Sequence, residues 1–182
     1  MVLLKSNQPK FNKKYPPFKL KSTSIAQRHS DELKKENGLF IIFTCNHCPY
    51  AHAYWGRLIR DFNKINQLGF GMVAINPNIN PDYPQDSFEN MMKLQVEFKL
   101  PFEYLVDEDQ EIAKAYDAQC TPDFYVLNSN YELMYRGAYD NNWKNENEVT
   151  NNYLLDALHN VKNNKQNKDQ KIPSMGCSIK WL

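Results

Sequence analysis

Residues 39–44, LFIIFT, form a continuous apolar run bounded on both sides by turn chemistry, and no other stretch limits the fold as strongly. A run without polar alternation reads as a central strand of a parallel sheet, buried beneath helices on both faces. The pattern downstream agrees. From Pro49 to Leu68 apolar residues recur at Tyr54, Leu58, Phe62 and Ile65, which is helical spacing, and Gly69 and Gly71 end it. MVAI (72–75) is the next buried strand, and NPNINPDYPQD (76–86) is a loop with three prolines. Ser87 is expected to cap a helix carrying Met91, Leu94 and Phe98 on one face, stopped by Pro101. FEYLV (102–106) reads as a strand and DEDQEIAKAYDA (107–118) as a helix whose acidic start suits its dipole. DFYVL (123–127) and LMYR (133–136) flank a turn at 128–130 as an antiparallel hairpin, and a last helix runs from about Glu148 to Val161. Strands alternating with helices, then a hairpin and a helix, specify an α/β fold with a central mixed sheet flanked by helices.

Three divisions are expected along the chain: an irregular arm over 1–16, a main domain over 17–161, and a polar linker with a cysteine-containing tail over 162–182. Within the main domain PPFKLKS (16–22) reads as an edge strand, and SDELKKENG (30–38) as a short helix with Ser30 as cap and Gly38 as stop. The tail IPSMGCSIKWL is too apolar at Ile172, Met175, Ile179 and Trp181 for a solvated end, and is expected to dock.

A chain of 182 residues suits one domain with a real core. Its net charge of +1 carries no electrostatic footprint for nucleic acid or anionic lipid. No stretch approaches the roughly 20 apolar residues needed to cross a bilayer, and the first residues lack a secretory apolar core. The expected compartment is therefore cytoplasmic, where thiols stay mostly reduced. Four cysteines in such a chain point to catalysis, redox chemistry or metal binding more than to a disulfide framework.

Cys45 and Cys48 form a Cys-x-x-Cys between the buried strand and the helix. Helix N-termini present unpaired N–H groups and a partial positive charge, which stabilise a thiolate. Cysteine pKa values there fall to roughly 3.5–7.5, against about 8.5 for the ordinary thiol. Two intervening residues let the first turn close a short disulfide. Cys45, at the exposed start of the helix, is expected to attack, and Cys48, inside the first turn, to resolve. Pro49 fits because a first turn does not need its N–H. His47, just before the second cysteine, would favour the Cys45 thiolate. A competing reading takes Cys45, Cys48 and His52 as soft ligands for zinc or Cu(I). The redox reading needs no cofactor.

Beyond these residues the chain resembles the thioredoxin-like redoxins, within them a peroxiredoxin-like branch of the alkyl hydroperoxide reductase/thiol-specific antioxidant family. The resemblance rests on FTCNHCPYAHA, INPNINPDYPQDSFENM, PFEYLVDEDQEIAKAYDAQCTPDFYVLN, YRGAYDN and PSMGCSIKW in that order. It implies a thioredoxin-like fold with a peroxiredoxin-like N-terminal extension and an inserted helix at 87–99. It also implies that Pro122 is a cis-proline facing the dithiol, and that Thr121 offers its backbone to a bound thiol or peptide. Cys120 then lies near the dithiol, as a third redox partner or as buried filler. Cys177 is expected to approach Cys45, as an additional resolving thiol or through docking alone.

The peroxidase loop Pro-x-x-x-Thr-x-x-Cys is absent: no proline lies between Pro17 and Pro49, and Thr44 directly precedes Cys45. Arg57, Arg60 and Arg136 read as solvated rather than as a peroxide-polarising group. The expected activity is thiol–disulfide exchange, with thiol peroxidase as the alternative. The implied partners are a thioredoxin- or glutathione-type reductant and a protein disulfide or peroxide substrate. Neither nucleic acid nor a membrane is among them, and the oligomeric state is left open.

Overall fold

The computed structural model describes residues 2–167 and 172–182. Its strands are β1 (Leu3–Lys5), β2 (Lys19–Ser22), β3 (Gln27–His29), β4 (Gly38–Phe43), β5 (Phe70–Asn76), β6 (Glu103–Val106), β7 (Cys120–Thr121), β8 (Asp123–Leu127), β9 (Leu133–Gly137) and β10 (Met175–Ser178). The helices are α1 (Ser30–Leu33), α2 (Pro49–Gln67), α3 (Phe88–Glu97), α4 (Glu111–Ala115) and α5 (Tyr153–Lys162).

The main sheet runs β3-β2-β6-β5-β4-β8-β9, with β4–β5 and β5–β6 parallel and the other pairs antiparallel. Strand β4 lies inside this mixed sheet, as its unbroken apolar run requires. Its side chains alternate between two cores, as the two-residue period of a strand dictates. Phe40 and Ile42 pack with Trp55, Leu58, Tyr104 and Leu158, while Leu39, Ile41 and Phe43 pack with Tyr116, Tyr125 and Leu133.

Several boundaries differ from the sequence expectation, each for a local reason. The arm is not irregular: β1 pairs with β10, and Tyr15 is buried against Tyr116 with ring centroids 4.8 Å apart. Strand β2 is not at an edge, because its prolines precede the ladder and β3 covers its outer side. In α1 the cap is His29, since the Ser30 hydroxyl is occupied by the Phe18 N–H at 3.0 Å and by Tyr131 at 2.7 Å. Gly38 opens β4, and Gly71 lies inside β5. The acidic segment yields only the short α4, which follows a left-handed Gln110 at its N-cap, donates its Ala113 N–H to Asp107 at 2.7 Å, and ends before Asp117 turns left-handed. Helix α5 starts later than expected because Asn152 caps it, accepting from Leu155 N–H at 3.0 Å.

The expected linker is partly structural. Asn167 is buried and donates to Met134 O at 3.0 Å and Ala157 O at 3.3 Å, while residues 168–171 lie outside the described residues. The tail docks: β10 sits between β1 and β7 in a small antiparallel sheet, with Leu3 opposite Cys177 and Cys177 opposite Thr121. No described helix is long and apolar enough to cross a membrane.

Candidate active site

The site forms where β4 hands over to α2. Thr44 N–H donates to Ile75 O at 2.8 Å, which holds the end of β4 against β5. Cys48 then takes the N-cap position of the 19-residue α2 with extended backbone (φ −79°, ψ 119°), and Pro49 starts the helix. This places the Cys48 sulfur over unpaired first-turn amides and the positive end of the helix dipole.

Opposite lies the loop joining β7 to β8, where the Thr121–Pro122 peptide is cis. Thr121 meets both thiols. Its hydroxyl shares a hydrogen bond with Cys45 at 3.1 Å, and its carbonyl oxygen accepts from the Cys48 thiol at 3.1 Å. Thr121 and the cis Pro122 thus lie against the two thiols.

Both sulfurs are shut away from water, so the expectation of an exposed Cys45 is corrected: Cys45, Cys48 and Cys177 are all 0% exposed and cluster with Ala51 and the half-buried Tyr50. The lid is β10. All four cysteines, including Cys120, are buried.

The two thiols influence each other, and their proton affinities are shifted in opposite directions. Burial pushes the Cys45 thiol well above the ordinary range, and its bond to Cys48 and the charge of Asp86 add to this. Cys48 is lowered to about 5, chiefly because Cys45 hydrogen-bonds to its sulfur. Cys177 and the Ala51 amide contribute in the same direction, against the cost of burial. An ionised Cys48 accepts from these donors, and its bond to Thr121 O belongs to the protonated form. Cys177 is pushed up to about 12 by burial and by its bond to Cys48.

His47 has its ring near Cys45 and held by Asp86. Its Nδ1 is hydrogen-bonded to Asp86, and its ring stacks on Tyr83 at 5.3 Å. The other carboxylate oxygen of Asp86 accepts from Asn46 N–H at 2.7 Å and His47 N–H at 3.0 Å. Tyr104 donates to the Asn46 side chain at 2.8 Å, and His52 Nε2 is bonded to Asn46 O. The loop is thus clamped from three sides.

His52 is consequently engaged away from the thiols, which removes it from the expected ligand set of Cys45, Cys48 and His52. The potential metal ligands that do converge are Cys45, His47 and Asp86, within 4.8 Å of one another. Asp86 had no signal of its own in the sequence: it lies about forty residues from Asn46, at the end of a loop read only for its prolines.

Cys120 is buried, with its thiol donating to Pro122 O at 3.7 Å, and burial pushes it far up. The arginines are not solvated as expected, except Arg60, whose side chain is half exposed. Arg57 is buried on Asp140 at 2.5 Å and Arg136 on Asp123 at 2.8 Å. Trp143 lies on Tyr50 at 4.2 Å and walls a groove of about 250 Å³ with Tyr54, Asp140, Tyr153, Ile172 and Met175.

The profile of the AhpC/TSA family matches residues 11–139. An "uncharacterized conserved protein" of Geobacillus kaustophilus superposes with a TM-score of 0.93 at 38% identity, covering 100% of this chain and 97% of its own. A peroxidoxin of Mycobacterium tuberculosis gives 0.65 at 10% identity, covering 86% of this chain and 98% of its own. A "putative thiol:disulfide interchange protein" of Chlorobium tepidum gives 0.60 at 16% identity, covering 71% and 85%. Among curated proteins nothing matches. The chain has the thioredoxin fold and belongs to the AhpC/TSA family of thiol-based redox enzymes.

Proposed function

We propose that the protein is a thiol–disulfide oxidoreductase whose Cys45 and Cys48 alternate between dithiol and disulfide. The observation that carries this reading is the placement of the pair: Cys45 and Cys48 lie at the start of α2, both hydrogen-bonded to Thr121 beside the cis Pro122. The coupled pair holds one proton between its two sulfurs; in the form with that proton on Cys48, the Cys45 thiolate attacks a substrate disulfide. The leaving thiolate takes that proton in turn. Cys48, again ionised, attacks Cys45 in the mixed disulfide and releases the second substrate thiolate. Two electrons leave the pair, one S–S bond forms in it, and one breaks in the substrate. A small dithiol or a thioredoxin- or glutathione-type reductant would reverse the change.

Thiol peroxidase is the second reading, favoured by the covering of both sulfurs, which admits a small oxidant more easily than a protein. Against it, the hydrogen bonds at Cys45 and Cys48 come from thiols, Thr121 and a backbone amide, with no arginine among them. Peroxide cleavage gains from donors aimed at the developing oxyanion.

The test is to mix the reduced protein with hydrogen peroxide and, separately, with a peptide disulfide, following the rate and mapping the product. Disulfide exchange faster than that of a simple dithiol, with peroxide no faster, is the expected result. Peroxide oxidation far above the simple dithiol would make peroxidase the function. A Cys45–Cys48 disulfide that never forms would remove both.

A further inference from the structure

Thr121 is the residue that touches both active thiols, and the backbone edge beside it is already taken by the chain's own tail. Strand β10 pairs antiparallel with β7, placing Cys177 opposite Thr121 and Ser178 opposite Cys120. The approach is close: a Cβ on Gly176 would stand 2.0 Å from Thr121 O, so only glycine lets this strand lie here. Cys177 falls in the same buried cluster as Cys45 and Cys48, and its side chain is hydrogen-bonded to Cys48. Cys45 interacts with Cys48 as well, and neither Cys45 nor Cys177 has the other among the groups that shift it. The order of contact is therefore Cys45, Cys48, Cys177, with Cys48 in the middle.

We infer that Cys177 is a third redox thiol, presented to Cys48 by a strand that occupies the Thr121 edge where an extended thiol-bearing peptide would otherwise pair. This deepens the dithiol reading and rests on it. In the Cys45–Cys48 disulfide, the Cys177 thiolate attacks Cys48 Sγ. The Cys48–Cys177 bond forms, the Cys45–Cys48 bond breaks, and its electron pair leaves on Cys45. The proton given up by Cys177 ends on Cys45. No further oxidant is consumed, because the step moves an existing disulfide along the row. The disulfide substrate of the proposed reaction supplies the first oxidation.

Two consequences follow from the geometry. The shift returns Cys45 to the thiol state while the molecule remains oxidised. It also staples β10 to the start of α2, closing the Thr121 edge to a peptide for as long as the disulfide persists.

The experiment is disulfide mapping by mass spectrometry on the full chain, oxidised without denaturant by one equivalent of oxidised glutathione. The unaltered protein is expected to yield both Cys45–Cys48 and Cys48–Cys177 linkages. Cys45→Ser is expected to yield Cys48–Cys177, and Cys177→Ser only Cys45–Cys48. If Cys45–Cys48 forms but Cys177 is linked in neither the unaltered protein nor Cys45→Ser, the relay is overturned and the dithiol reading survives. If no linkage forms at all, both fall. Should Cys45→Ser fold poorly, the unaltered protein decides alone: a Cys48–Cys177 fraction that grows as the Cys45–Cys48 fraction declines supports the shift, and its absence removes it.

Discussion

Asp86 holds Asn46 and His47 together from about forty residues away, accepting both backbone N–H groups on one carboxylate oxygen while the other engages the His47 ring. The carboxylate is fully buried, so these bonds replace its hydration. Asp86→Asn keeps an acceptor for the amides but loses the charge. Such a loss is expected to cost about 1–3 kcal/mol, read as a lower denaturant midpoint. Because the Asp86 charge also raises Cys45, the alkylation profile of Cys45 should move to lower pH. A variant unchanged in both respects would show the clamp to be inert.

The acidity of Cys48 makes stability depend on pH. Its folded value of about 5 lies below the ordinary thiol value of about 8.5. The unfolded chain therefore binds more protons between these values, and stability rises with pH across that window. The contribution is complete above about 8.5 and is lost as pH falls through about 5. Cys45 and Cys177, both raised, contribute in the opposite sense above about 8.5. Denaturation of the reduced protein across this range, compared with Cys48→Ser, should show the rising slope only in the unaltered chain.

Gly176 is the point at which the lid is most easily lifted. Gly176→Val puts a branched side chain where Thr121 O stands and is expected to push β10 away. Native-state alkylation of Cys45 and Cys48 should then accelerate at least about tenfold, equivalent to about 1.4 kcal/mol of lost protection. Equal rates in the two proteins would mean that something other than β10 covers the sulfurs.

The Arg57–Asp140 pair fixes the segment that carries Trp143 over Tyr50. Both charges are buried, so Asp140→Ala strands the guanidinium and should cost about 3–5 kcal/mol. Adding Arg57→Met should recover part of that loss. Urea midpoints of the single and double variants check the claim, and an additive double variant would refute the coupling.

What the sequence reveals here is what repeats locally. The buried run of β4, the helical spacing of α2, the Ser87 cap and the 123–136 hairpin all lie within windows of ten or twenty residues. The Cys-x-x-Cys site is visible for the same reason, since its strand and helix adjoin it. Asp86 is invisible because its partners are distant and its neighbours carry no period. Strands β1 and β10 are only three and four residues long, and their pairing joins the two ends of the chain. The acidity of Cys48 is set first by Cys45 and, against the cost of burial, also by Cys177, a contribution from the far end of the chain that residues 45–48 alone do not reveal. His52 has ligand spacing to Cys48, yet its ring is used to tie down Asn46. Spacing gives candidates, and competing hydrogen bonds decide among them.

The pairing of β1 with β10 brings Leu3 opposite Cys177, close to the greatest sequence separation the chain offers. Contacts of this kind carry a large loop-closure cost unless the intervening chain has already condensed. The main sheet can form from closer partners, with β4, β5 and β6 joined in parallel and β8 folding back on β4. The closing of the reactive centre is therefore expected to follow the assembly of the body that supports it. Before that closure Cys45 and Cys48 would stand open on an assembled scaffold, so refolding protein is expected to be alkylated faster at these thiols than the finished form.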